Sequence, residues 1–243
     1  MIGIAACEMS PSPYFAEGAT AAELIEKDRA HLRKRMDVLQ AAFRAALKGR
    51  ARELAWRSDI ALPTDYVVQA AHAADLIIAG ANRNGALLDP VLRLDPSELV
   101  IRAGRPVFVV PPQTEHLALR RVMVAWKDTR EARRAVVDAL PLLAKAKDVL
   151  VVEQVEQDED RAAARGRIDE LVAWLGHHGI SATARVPTPS RDVVPKLEAV
   201  ADELGIDLVV AGAYGHTRFR EWVLGGVTRD LVNRSKRCSL LAH

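Results

Sequence analysis

The stretch Asp75-Leu-Ile-Ile-Ala-Gly-Ala81 decides the fold, because it recurs further along the chain as Asp207-Leu-Val-Val-Ala-Gly-Ala213. The second copy follows the first by 132 positions. The same offset aligns residues 63–110 with residues 195–242 without a gap. Unrelated stretches rarely match over such a length, so we infer that one supersecondary unit has been duplicated.

Each copy shows the same alternation of helices and short apolar strands. The strands are expected at 75–80 and 106–110 in the first copy and at 207–212 and 238–242 in the second. The helices are expected at 64–73 and 96–103, and at 192–204 and 226–235. Continuous apolar strands that alternate with helices predict an α/β fold, in which a parallel sheet is covered by helices on both faces.

Three further strands precede the second copy, so the second half has five. They are expected at 120–126, 148–154 and 180–186. Asp128 and Glu131 have the spacing of a capping box, which predicts that Asp128 caps the helix after the first of these strands. The buried stripe of that helix is predicted to contain Ala132, Ala135, Val136, Ala139 and Leu140.

The first half is shorter than the second. A strand at 1–7 precedes a long helix, which the capping box Thr20–Glu23 opens and Gly49 closes. The buried stripe of this helix is predicted to contain Ile25, Leu32, Met36, Leu39, Phe43 and Leu47. A strand is expected next at 51–57. Residues 120–147 have no counterpart here, so the first unit lacks its opening strand and helix.

These patterns divide the chain into two units. The first, degenerate unit covers 1–112 and the second, complete unit covers 118–243, with a linker at 111–114. Three explanations for the missing opening strand of the first unit are open at this stage. Either the true start of the unit lies upstream, or the strand at 1–7 takes the central position in the sheet, or another chain supplies the strand.

Composition excludes several classes of function. The net charge of +2 over 243 residues does not indicate a nucleic-acid partner. No apolar run is long enough to cross a membrane, and the apolar residues 1–7 resemble a strand more than a signal peptide. The two cysteines, Cys7 and Cys238, have no metal-binding spacing, and we expect Cys238 to be buried in the last strand. We therefore expect a reduced, cytoplasmic protein with no metal site.

Glycines follow the strand at 207–212 in a pattern that suits phosphate binding. The run from Gly212 to Thr228 reads G-x₂-G-x₉-G-G-x-T and leads into a helix. Glycine lets the backbone approach phosphate oxygens, and the free N–H groups at a helix start favour an anion. The Thr228 hydroxyl can add one more donor. Such a site would lie outside the carboxyl ends of the strands.

These residues resemble the universal stress protein family, whose nucleotide-binding members carry G-x₂-G-x₉-G-(S/T) after the fourth strand. Gly212, Gly215 and Gly225 match that pattern, while Gly226 stands where the family has Ser or Thr. The resemblance extends to Val122–Leu143, which is similar to the family's opening strand and helix. It implies two Rossmann-like units with the sheet order 3-2-1-4-5, paired through their fifth strands. It also implies a role in stress response, with ATP bound by a subset of members.

The same resemblance implies the other contacts of a nucleotide. Ala125 and Val152, on the first two strands of the second unit, would form walls of the base pocket. Lys127 stands where the nucleotide-binding members have an Asp. In the first unit, the counterparts of Gly215, Gly225, Gly226 and Thr228 are Arg83, Arg93, Leu94 and Pro96. Since Pro96 has no N–H to donate, the first unit is predicted to bind no nucleotide.

Three functions are compatible with the sequence. The first is a stress-response protein that binds an adenine nucleotide such as ATP in its second unit. The second is a nucleotide-free regulatory module that uses its paired units for dimerisation and partner contact. The third is a weak ATP hydrolase, although the sequence offers no catalytic motif of a known type. We expect the two units to pair within the chain, and a homodimer is a further alternative.

Overall fold

The computed structural model of this chain describes residues 1–9, 19–81, 94–213, 231 and 236–243. By their contacts, these residues form two compact units. One contains Met1–His72 and the described part of Gly85–Asp95, and the other contains the rest of the described chain.

The described part of the first compact unit has two strands and two α-helices. They are β1 (Ile2–Ala6), α1 (Ala19–Ala46), β2 (Ala55–Asp59) and α2 (Pro63–Ala70), and a 3₁₀ turn follows α2. The strands β1 and β2 are parallel, with Gly3 beside Trp56. An added Cβ at Gly3 would lie 2.6 Å from the Trp56 ring, so glycine lets Trp56 cover β1. The ring of Trp56 also packs on Phe43, with their centroids 5.6 Å apart.

Three predictions for this unit need correction. Helix α1 already includes Ala19, so Thr20 is not its N-cap. Leu39 is 38% exposed, although Leu32 and Met36 of the same predicted stripe are buried against Cys7. The second strand covers Ala55–Asp59 instead of 51–57. That strand is largely exposed, so its sequence has no apolar period by which its bounds could be recognised.

The second compact unit contains a seven-stranded sheet. Its strands are β3 (Ile77–Gly80), β4 (Val107–Val110), β5 (Arg121–Trp126), β6 (Asp148–Glu153), β7 (Ala182–Arg185), β8 (Leu208–Gly212) and β9 (Cys238–Ala242). Its helices are α3 (Pro96–Arg102), α4 (Arg130–Leu143), α5 (Arg161–His177) and α6 (Val193–Glu203). The strand order is β3-β4-β9-β8-β5-β6-β7. The five strands from β5 to β9 therefore have the expected order 3-2-1-4-5, which is confirmed.

The two repeats meet through their last strands, as predicted. Strands β4 and β9 are antiparallel, with Phe108 opposite Leu240. Every other pair in this sheet is parallel. Because of this pairing, β3 and β4 belong to the second compact unit although they lie in the first repeat. The domain division at 112–118 follows the repeat and stays a prediction.

Strand β1 belongs to the two-stranded sheet of the first compact unit. Among the described residues it pairs with β2, and β3 pairs with β4 in the second compact unit. The three explanations for the missing opening strand stay predictions.

The core of the large sheet lies under α4 and α5. Val122, Val124 and Val151 are buried there against the Ala135 and Ala139 methyl groups of α4 and Ile168 of α5. Small residues on α4 let this helix lie close to the strands. No helix among the described residues is long and apolar enough to cross a membrane.

Candidate functional site

Three strands of the second compact unit end side by side at the carboxyl edge of the large sheet. Ala125 of β5 lies between Val152 of β6 and Ala211 of β8. Gly212 is the last residue of β8. The structure thus brings Ala125, Val152 and Gly212, which were singled out from the sequence, to one edge. Gly215, Gly225, Gly226 and Thr228 lie outside the described residues.

Gly212 lies directly against the first turn of α4. An added Cβ at Gly212 would lie 2.3 Å from the amide nitrogen of Ala132 and 2.6 Å from the carbonyl carbon of Glu131. Real Cβ atoms do not approach backbone so closely, and backbone cannot easily move away. Helix–strand packing therefore requires a glycine here, whatever the ligand chemistry of the loop that follows.

Helix α4 is capped one residue later than predicted. Thr129, not Asp128, is the N-cap, and its hydroxyl accepts a hydrogen bond of 3.3 Å from the Ala132 amide. The Asp128 carboxylate instead accepts a bond of 3.1 Å from Nε of Arg133. Both residues suit an N-cap, so the sequence did not distinguish them.

Glu131, whose backbone contacts Gly212, carries a buried carboxylate that sequence reasoning did not single out as part of a site. Glu131 is only 3% exposed and forms an ion pair with Arg130. Burial raises the pKa of Glu131, but hydrogen bonds from Arg130, its own backbone and Thr129 outweigh burial and leave the pKa below its ordinary value. Glu131 is therefore ionised at neutral pH. This negative charge already occupies the N-terminal turn of α4, so that turn is poorly suited to a phosphate.

A second buried carboxylate ends strand β6. Glu153 is 6% exposed, and both of its oxygens accept hydrogen bonds from Nε of Arg167, at 3.1 and 3.3 Å. Arg167 belongs to α5, so this ion pair ties the helix to the carboxyl end of the strand. Glu153 also lies beside Trp126 in the register of β5 and β6.

Two buried polar atoms close to this edge have no hydrogen-bond partner among the described residues. They are Nε1 of Trp126, at the end of β5, and Oε1 of Gln154, directly after β6. The side-chain amide of Gln154 donates to the carbonyl oxygens of Val155 at 2.8 Å and Thr188 at 3.2 Å, which fixes its orientation. Trp126 packs against the core under α4 and α5, so its Nε1 lies on the opposite face of β5 from Ala125, which faces α6.

The cavity next to Ala125 is very small. Its volume is about 10 Å³, and it lies between Met123, Ala125 and Val209 of the sheet and Val194 and Leu197 of α6. That space holds about one water molecule. An adenine ring would fit there only after α6 or the neighbouring Leu231 has moved. Val152, which lies beside Ala125 in the register of β5 and β6, is fully buried.

The described part of the chain shows no metal-binding cluster. No group of three or more His, Cys, Asp or Glu side chains there is arranged to hold a metal ion. The buried acids Glu131 and Glu153 are instead each paired with an arginine.

The sequence of residues 118–242 matches the model of the universal stress protein family. This chain belongs to the universal stress protein family. The match covers the whole five-stranded arrangement from β5 to β9, which carries the carboxyl edge described above.

Solved structures extend the similarity to nearly the whole chain. A universal stress protein from Archaeoglobus fulgidus is 16% identical with a TM-score of 0.61, and the match covers 94% of this chain and 84% of that one. A candidate universal stress protein from Pseudomonas aeruginosa is 13% identical with a TM-score of 0.59, over 99% and 92% of the two chains. Because the sequence identities are this low, the two matches show a similar fold and carry no statement about function. Comparison with curated proteins finds no match.

Proposed function

We propose that this universal stress protein binds an adenine nucleotide, with ATP as the first candidate, in its second unit, at residues 118–243. The glycine run from Gly212 to Thr228 begins at the last residue of β8, and this observation carries the proposal. Chain order reverses between β5 and β8, since β6 lies on the other side of β5. Open α/β sheets bind ligands at such a switch point, outside the carboxyl ends of the strands.

In this proposal the phosphates contact the glycine segment and the base enters beside β5. Backbone N–H groups of Gly212, Gly215, Gly225 and Gly226, with the Thr228 hydroxyl, would hold the phosphates. Ala125 and Val152 would contact the base once α6 has moved. The unpartnered Oε1 of Gln154, directly after β6, supplies a hydrogen-bonding group for the base or the ribose.

The first repeat does not share this function. Helix α3 begins at Pro96, the counterpart of Thr228, so the first residue of that helix has no N–H for a phosphate. We therefore expect one nucleotide per chain.

Calorimetric titration of ATP into the purified chain tests the proposal. The wild type should bind one equivalent, and Gly225→Val should abolish binding while circular dichroism shows an unchanged fold. Gly226→Ser should strengthen binding, because it restores the hydroxyl of the family pattern. Gly166→Val is a matched control that should not alter binding, because Gly166 is exposed on α5 with no atom within 4 Å of an added Cβ.

A nucleotide-free regulatory module is the second candidate. The cavity of about 10 Å³ beside Ala125 favours it, because that space does not admit a base without movement. Lys127 at the position of the family's Asp also favours it. No heat with either the wild type or Gly226→Ser would make this module the better interpretation. Release of phosphate over time would instead support the weak hydrolase.

A further inference from the structure

Helix α6 covers the proposed base space with its first half. The helix connects the carboxyl end of β7 to the amino end of β8, so it begins at the carboxyl edge of the sheet and ends at the amino edge. The cavity of about 10 Å³ beside Ala125 is lined by Val194 and Leu197 of this first half. A base can therefore enter beside Ala125 only when the beginning of α6 moves away from the sheet.

Arginines from the sheet hold the C-terminal end of α6. Arg121, the first residue of β5, donates from Nη1 to the carbonyl oxygen of Leu204 at 2.6 Å, directly after the helix. Arg185, the last residue of β7, donates to both carboxylate oxygens of Glu203, at 3.3 and 2.9 Å. Hydrogen bonds from charged donors are among the stronger ones, so the end of α6 is attached to two strands.

The beginning of α6 is packed less closely than its end. Val200 and Ala201 in the second half are buried, whereas Val193 and Val194 at the start are only half-buried. The cavity under Val194 removes packing contacts that a filled core would supply. The N-cap residue Asp192 makes no capping hydrogen bond with its side chain to the described residues, so the first turn lacks the stabilisation of a cap.

One ion pair joins the middle of α6 to the sheet. Glu198 lines the cavity and pairs with Arg237, the residue directly before β9. The Arg237 side chain is only 10% exposed, and it also pairs with Asp202, one helical turn further along. When the first half of α6 lifts, Glu198 must leave Arg237, whereas Asp202 can stay with it at the attached end.

We infer that α6 is a lid that turns about its C-terminal end, and that the ion pair between Glu198 and Arg237 is its latch. The structure holds the closed state, in which the space beside Ala125 admits about one water molecule. This inference rests on the proposed function, because it names what regulates entry of the base into that site. A ligand that binds only the open state has an apparent affinity reduced by the open fraction, so the latch lowers the affinity for ATP.

Labelling of introduced thiols measures the opening of α6 without any ligand. Leu197 and Val200 are both buried and lie three residues apart, the first in the moving half and the second in the attached half. Iodoacetamide should label Leu197→Cys about tenfold or more faster than Val200→Cys, as mass spectrometry of the digested chain measures. The native thiol of Cys238, which is buried in β9, reports unfolding of the whole unit in the same digest.

The two partners of Arg237 provide a matched pair of variants for the latch. Glu198→Gln should speed labelling of Leu197→Cys by about fivefold to tenfold, because opening no longer separates an ion pair. Asp202→Asn should leave that rate unchanged, because its ion pair persists in both states. Equal labelling of Leu197→Cys and Val200→Cys would overturn the lid, since α6 would then leave the sheet as a whole. An unchanged rate in Glu198→Gln would overturn the latch.

Calorimetric titration of ATP connects the lid with the site. Glu198→Gln should lower the Kd for ATP by the same factor by which it speeds labelling, and Asp202→Asn should not change the Kd. Faster labelling in Glu198→Gln with an unchanged Kd would overturn the regulation of the site by α6. No heat with ATP, together with the expected labelling, would remove the nucleotide and leave the lid. ATP binding with equal labelling at positions 197 and 200 would keep the nucleotide and overturn the lid.

Discussion

Gly212 and Ala132 are in closer contact than any residue other than glycine would allow at position 212. A Cβ built on Gly212 lies 2.3 Å from the Ala132 amide nitrogen and 2.7 Å from its Cα. The contact joins the end of β8 to the start of α4, next to the strands on which the proposed site depends. The first glycine of the G-x₂-G pattern is therefore explained by packing, before any ligand is considered.

Gly212→Ala should destabilise the second compact unit by about 2–4 kcal/mol, because either α4 or β8 must shift to make room. Urea unfolding followed by circular dichroism measures the change. Gly80→Ala is the matched control, and we expect its free energy of unfolding to stay within about 0.5 kcal/mol of the wild type. Equal stability of the two variants would contradict the packing described here.

The ion pair between Glu153 and Arg167 should matter more than exposed pairs on the same helix. Glu153→Gln should destabilise the chain by about 1–3 kcal/mol. The loss should be smaller than the loss from breaking a fully buried ion pair, because the Arg167 side chain is 37% exposed. Replacing both partners with leucine should recover most of the loss.

Arg165 and Asp169 provide the control for this pair. They form an ion pair at 2.8 Å on α5, but their side chains are 55% and 50% exposed. Asp169→Asn should therefore cost less than about 0.5 kcal/mol. Urea unfolding of the single variants and the double variant measures the coupling, and losses of similar size at Glu153 and Asp169 would argue against a special role for the buried pair.

Much of the fold could be predicted from the sequence, since the apolar runs of the large sheet match its strands. The exposed strand β2 could not, because Ala55–Asp59 has no alternating pattern. The candidate site could be predicted only in outline. The shared edge of Ala125, Val152 and Gly212 follows from the parallel order of strands. The burial of Glu153 does not follow from the sequence, because its partner Arg167 is 14 residues away and faces it only in the folded chain.

Glu131 should make the stability of the chain depend on pH in the acid range. Its pKa in the folded state lies below the ordinary value. The folded state therefore binds the proton less readily than the unfolded state does. The stabilisation from the ionised group is complete above the unfolded pKa of about 4.3 and is lost as the pH falls through the folded pKa.

Glu131→Gln removes this titration, so the stability gap between the wild type and the variant should shrink as the pH falls from about 6 to about 3. Thermal unfolding at several pH values measures the gap. A gap that stays constant over this range would show that Glu131 contributes by packing alone.

Two glycines near α5 should respond to alanine in opposite directions. Gly166 lies inside the helix, is exposed, and has no atom within 4 Å of an added Cβ. Gly166→Ala should therefore stabilise the chain by about 0.5–1 kcal/mol, because alanine loses less backbone freedom in a helix. Gly179 follows the helix with φ of +73°, a conformation that a Cβ disfavours. Gly179→Ala should destabilise by about 1 kcal/mol. Urea unfolding measures both changes, and a shift of the same sign in the two variants would contradict the backbone geometry of α5 and its C-terminal turn.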